Sequence, residues 1–110
     1  MKTVVLINRH GMGTGDDTLA REILITFLNK ISALRDLEAI CFYNGGVKTT
    51  FESSPMLPAL STLHEQGVEL IICGTCVNQF ASVEKVKVGR VGSMDEILSA
   101  LHRAEKVITL

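Results

Sequence analysis

The sequence predicts a three-layer α/β/α domain of the flavodoxin-like type, built on one five-stranded, mostly parallel sheet. Three observations predict it. Short apolar runs rich in branched residues, such as Thr3-Val4-Val5-Leu6-Ile7, read as strands covered on both faces by helices. Between such runs, apolar residues recur at steps of three or four, the helical period. Strand and helix then alternate five times, which implies right-handed crossovers and a parallel sheet. At 110 residues with 46% hydrophobic content, the chain has material for one core and not for a second, so residues 1–110 form a single domain.

Taken in order, the first strand spans 3–7, and the loop Gly11-Met12-Gly13-Thr14-Gly15 follows it. Leu19, Ile23, Phe27, Ile31 and Leu34 mark the first helix, which an aspartate caps, with Asp17 the favoured candidate. Residues 38–43 make the second strand, stopped by Asn44-Gly45-Gly46. Ser54-Pro55 opens a helix to about Gln66, which requires Pro58 to lie in its first turn, where no intrahelical N–H is needed. Gly67 reads as its C-terminal cap, before the third strand at 68–72. A short polar helix or turn at 77–82 leads to a weaker fourth strand at 86–91. Ser93-Met94-Asp95-Glu96 has the spacing of a capping box and starts a helix to about Arg103, ahead of a last strand at 106–108.

Composition excludes several functions. A formal charge of −1 and a pI near 6.3 give no basic face for nucleic acid or an anionic membrane. No apolar run reaches the roughly 18 residues of a spanning helix, and no signal-peptide core follows Met1-Lys2, so a cytosolic protein is expected. Three cysteines cannot all pair within one chain, and a reducing compartment keeps thiols free.

Topology names the candidate site before chemistry does, because open parallel sheets bind ligands beyond the carboxyl ends of their strands. Those ends carry Asn8, Tyr43-Asn44-Gly45 and Cys73-Gly74-Thr75-Cys76, with the glycine-rich loop beside them. The loop fails the dinucleotide fingerprint, since Asp16 stands where a third glycine is required, and Asp16 and Asp17 place negative charge where a phosphate would sit. Neither nucleotide nor flavin is expected, although Asp16 and the glycines can line a site entrance.

Cys73-Gly74-Thr75-Cys76 is the strongest feature, since it joins a strand end to a helix start, where the dipole stabilises a thiolate. Lys48, Lys85, Lys87 and Arg90 add positive charge if they fold nearby. The plain alternative is two inert, half-buried cysteines. Zinc is disfavoured: one C-x-x-C supplies two of four ligands, and His10, His64, His102 and Cys41 show no second paired spacing. Cys41, in mid-strand, reads as core. No cofactor is expected. A thioredoxin-like oxidoreductase shares the C-x-x-C but places it early with a later proline loop, whereas Pro55 and Pro58 both precede the motif here.

Three runs in order, Met12-Gly13-Thr14-Gly15-Asp16-Asp17-x-Leu19, Phe42-Tyr43-Asn44-Gly45-Gly46-Val47-Lys48 and Gly67-Val68-Glu69-Leu70-Ile71-Ile72-Cys73-Gly74-Thr75-Cys76, resemble the DsrE/DsrF-like family. Within it they are most similar to the DsrE-like carboxy-terminal domain of YedF-type proteins, a group associated with selenium metabolism. The resemblance runs from the first strand to Val107 and implies a cytosolic α/β protein, trimeric or hexameric. It also implies a persulfide accepted from a donor protein by the cysteine ending the third strand, which here is Cys73. Cys76 belongs to the pattern of the YedF-like branch.

The residues and the resemblance together lead us to expect a sulfur carrier or sulfurtransferase, with a sulfur-donor or acceptor protein as partner. Cys73 is the acceptor thiol and Cys76 the resolving or modulating one, unless the start of the helix favours Cys76 instead. Gly74 leaves room for a partner to approach, Thr75 and Asn78 offer hydrogen bonds to a sulfur anion, and Asn8, Asn44 and Lys48, with Tyr43 among them, complete a polar rim. Two other readings stay open: an oligomeric small-ligand-binding module without enzymatic activity, and a dithiol–disulfide exchanger.

Overall fold

A computed structural model describes residues 2–110. Its five strands are β1 (Thr3–Ile7), β2 (Leu37–Phe42), β3 (Glu69–Cys73), β4 (Arg90–Gly92) and β5 (Lys106–Thr109). All neighbouring strands pair in parallel, in line with the mostly parallel sheet the sequence predicts, and their order is β4-β3-β2-β1-β5. The helices are α1 (Asp17–Ile31), α2 (Leu57–Glu65), α3 (Gly74–Phe80) and α4 (Met94–Arg103), with 3-10 segments at Asn44–Thr50 and Val83–Lys85.

The strand order explains the layers. From β1 the chain steps outward through β2, β3 and β4, and right-handed crossovers in one direction leave α1 and α2 packed together on one face. The last crossover returns to the far side of β1 and puts α4 on the other face. There Arg90 of β4 pairs with Glu69 of β3 and with Glu96 of α4. Between the sheet and the first pair of helices lie Ile7, Ile40, Phe42, Leu24, Leu28, Leu60 and Leu63, all essentially without solvent contact. Each such side chain contributes roughly 1.5–3 kcal/mol by leaving water.

Local chemistry sets the boundaries. Pro58 lies in the first turn of α2 as required, and Gly67, at φ +94°, donates its N–H to the His64 carbonyl and turns the chain into β3. Ser93 Oγ accepts the Glu96 N–H at 3.4 Å, the N-cap half of the expected capping box, while the Glu96 carboxylate pairs with Arg90 instead. α1 stops at Ile31, short of the expected Leu34, because the chain tightens through Leu34 N–H to the Ile31 carbonyl and must reach Leu37 opposite Thr3. α2 begins at Leu57, three residues after Ser54, whose Oγ accepts the Met56 N–H.

The fourth strand is shorter than expected. Val86 bridges antiparallel to Phe51, and the chain joins β3 only after Gly89, whose φ of +85° brings its Cα against Leu70. The cap of α1 is Asp16 rather than Asp17: its Oδ1 accepts the Leu19 N–H at 2.7 Å. An Asp16→Ala variant is therefore expected to lose about 1 kcal/mol in urea unfolding. An unchanged midpoint would show that the cap contributes nothing.

Candidate functional site

β3 ends at Cys73, whose extended backbone forms the N-cap of α3, so Cys76 follows in the first helical turn. One turn of helix folds the two sulfurs together: Cys76 Sγ donates to Cys73 Sγ at 2.9 Å, and no disulfide joins them. A second donor comes from across the sheet end. The 3-10 segment after β2 starts at Asn44, in the left-handed region at φ +49°, and the Asn44 backbone N–H donates to Cys76 Sγ at 3.1 Å.

Gly46 makes that approach possible. A Cβ there would stand 2.0 Å from the Ile7 carbonyl oxygen, so only glycine lets the segment cross the end of β1.

The two thiols differ in setting. Cys73 is buried, at 5% exposure, and Cys76 is half-buried. Burial pushes the Cys76 thiol up, its bond to Cys73 adds to the rise, and the Asn44 N–H works against both. Burial is the largest of these influences on Cys76. Cys41, in the core of β2, is pushed up to about 11, chiefly by burial.

A folded protein should therefore react with iodoacetamide mainly through the 73–76 pair, at a rate that climbs with pH as thiolate forms. Cys41 should label only after denaturation. Mapping alkylated peptides at neutral and alkaline pH checks both statements, and Cys41 labelling in the native state at neutral pH would contradict them.

The remaining predicted residues divide. Asn8 Nδ2 donates to the Tyr43 hydroxyl at 3.3 Å, which ties the ends of β1 and β2 into one rim beside Asn44. Lys48 stands on the same 3-10 segment, its Nζ 4.4 Å from the centre of the Phe80 ring, and Phe80 lies one turn beyond Cys76 on α3. Thr75 and Asn78 are exposed on α3, with no hydrogen bond to either sulfur among the described residues.

Two predicted residues have structural roles as well. Asp16 Oδ1 caps α1. A Cβ at Gly74 would stand 3.2 Å from Val91 Cγ1 and 3.3 Å from the Gly92 carbonyl oxygen, so the glycine lies close against β4. The outlying cations do not gather at the thiols: Lys85 pairs with Glu52 and Arg90 with Glu69 and Glu96. Among the described residues, no three of His, Cys, Asp and Glu cluster in a way that could hold a metal ion.

Sequence reasoning missed His10. It walls a cavity of about 350 Å³ with Lys48, Phe51, Glu52 and Phe80, and its Nε2 is closed from solvent with no hydrogen-bond partner among the described residues. Its position between the end of β1 and the glycine loop was the available signal.

With this geometry established, the sequence pattern of the DsrE/DsrF-like family matches residues 1–110, the whole chain. The chain belongs to the DsrE/DsrF-like family. Solved structures agree on the fold of this DsrE/DsrF-like domain. The ychN protein from E. coli is 23% identical, with a TM-score of 0.69 over 99% of this chain and 98% of its own. MTH1491 from Methanobacterium thermoautotrophicum, a protein of unknown function, is 18% identical at TM-score 0.71, again over 99% and 98%. BT1422 from Bacteroides thetaiotaomicron, also of unknown function, is 14% identical at 0.67, over 99% and 94%. A comparison with curated proteins gives no match. Among the described residues, no helix is long and apolar enough to cross a membrane.

Proposed function

We propose that the protein is a sulfur carrier of the relay type, loading a persulfide on Cys73 with Cys76 as the resolving thiol. The observation that carries this reading is the pair of sulfurs 2.9 Å apart with the S–H of Cys76 pointing at Cys73. Cys76 holds its proton more tightly than a free thiol and directs it at Cys73, so a thiolate on Cys73 Sγ, the form that attacks the donor, has a hydrogen-bond donor in place.

In loading, the Cys73 thiolate attacks the outer sulfur of a donor persulfide. The donor leaves as a thiolate, and Cys73 becomes the persulfide. In release, the acceptor protein's thiolate attacks that outer sulfur and restores the Cys73 thiolate. Alternatively, Cys76 attacks Cys73 Sγ: the outer sulfur departs as hydrosulfide, reduced by two electrons, and the 73–76 disulfide holds the two electrons' worth of oxidation.

One observation favours the opposite order of thiols, namely that Cys76 is the more exposed of the two. A donor reaching only the surface would load Cys76 first.

The motif Cys73-Gly74-Thr75-Cys76 supports a place in the YedF-like branch, with sulfur or selenium as cargo and the cytoplasm as location. A homo-oligomer, trimeric or hexameric, is part of the proposal. It is supported by Met94 and Leu98, which stand 55% and 62% exposed one turn apart on α4. Intact mass of the protein after incubation with a cysteine desulfurase and cysteine tests the reading. A gain of one sulfur atom supports the carrier, and no gain under any donor favours the ligand-binding module.

A further inference from the structure

We propose that the cavity over the glycine-rich loop is a binding site for a phosphoryl-type oxyanion, held by Arg9 and Arg21. The cavity measures about 450 Å³ and lies between the loop and the first turns of α1. That falls within the usual range for small-molecule sites and exceeds what a bare anion fills. It is separate from the thiol pair and independent of the persulfide reading.

Two arginines line it, Arg9 from just beyond β1 and Arg21 from the second turn of α1. Among the described residues Arg21 has no ion pair and no hydrogen bond, and Arg9 has only a long contact, 3.4 Å, to Asn8 Oδ1. Planar five-donor groups left without acceptors beside one cavity match the geometry of an oxyanion, which takes them two bonds at a time. His10 is in the same wall, with its Nε2 closed from solvent. Its protonated form is opposed by burial, by Arg21 and by Lys48, so the positive charges already crowd this corner, and an anion relieves them.

The loop suits the role. Gly13 and Gly15 adopt φ of +81° and +140°, and a Cβ at either would meet nothing within 4 Å, so their backbone borders open space. Gly11 anchors the loop instead, against Ala20. The acidic pair that argued against a phosphate in the sequence is split by the fold. Asp16 Oδ1 is occupied as the cap of α1, which leaves Asp17 as the carboxylate in the wall against two permanent cations.

The test is calorimetric titration of the full chain in low-salt buffer with inorganic phosphate and, separately, with AMP. Saturable one-to-one binding is expected. It should weaken about tenfold in Arg21→Gln, the effect of losing one charged hydrogen bond, and less in Arg21→Lys, which keeps the charge. Asp17→Asn should tighten it, and Cys73→Ser should leave it unchanged. Equal affinities for the two probes identify a free anion as the ligand, and tighter AMP identifies an organic phosphate. Thermal melting of each variant separates lost binding from lost folding. No saturable binding of either probe, or undiminished binding in a folded Arg21→Gln, overturns the proposal.

Discussion

A Gly46→Ala variant is expected to lose about 3 kcal/mol of stability, close to the most that overpacking a single methyl commonly costs. The added Cβ would meet the Ile7 carbonyl oxygen at 2.0 Å and its carbon at 2.6 Å. Those atoms belong to β1, which is paired on both sides, by β2 and by β5, and cannot yield alone. The segment itself is pinned from behind by Val47, Thr49 and Thr50, all buried, with the two threonine hydroxyls bonded to the carbonyls of Gly46 and Val47. Urea unfolding measures the loss. Gly13→Ala is the contrast: a Cβ there meets nothing, and only the left-handed φ costs, about 1–2 kcal/mol. Because Gly46 lies two residues after Asn44, whose N–H reaches Cys76, the same variant should also change the alkylation rate of Cys76. A Gly46→Ala protein with an unshifted midpoint would contradict the packing account.

The second large effect is on sulfur release. Loaded wild-type protein, without an acceptor, should give up its outer sulfur as hydrosulfide and end with a 73–76 disulfide. Cys76→Ser should retain the sulfur, with release slowed by at least about tenfold, because a neighbouring thiol 2.9 Å away acts at an effective concentration no solution thiol matches. Hydrosulfide assay together with a count of free thiols checks both halves. Equal release from the two proteins would remove the resolving role from Cys76.

The parts of this molecule legible in its sequence are those governed by local rules. β1 and β3 are read from short apolar runs, α4 from Ser93 and Glu96 three apart, and the closeness of Cys73 and Cys76 from their places on either side of a strand-to-helix junction. What stayed hidden depends on contacts across the chain. The 3-10 segment Asn44–Thr50 has no periodicity of its own and exists because Gly46 can rest on the end of β1. The donor it brings to Cys76 is a backbone N–H, which no side-chain pattern marks. The fourth strand shrank because Val86 found Phe51 as a partner, and the meeting of Arg9, His10 and Arg21 around one cavity required the fold of the loop between them. Gly74 has a use that no local rule marks: its lack of a side chain lets it lie close against β4.

Whether Cys73 accepts the sulfur is decided by intact mass spectrometry of three proteins. Wild type, Cys73→Ser and Cys76→Ser are incubated with a cysteine desulfurase and cysteine, and the mass of each is read before any reductant is added. One added sulfur atom is expected on Cys76→Ser, one added sulfur atom or the 73–76 disulfide left by its release on wild type, and neither on Cys73→Ser. Loading of Cys73→Ser with none on Cys76→Ser would contradict this and make the more exposed Cys76 the acceptor.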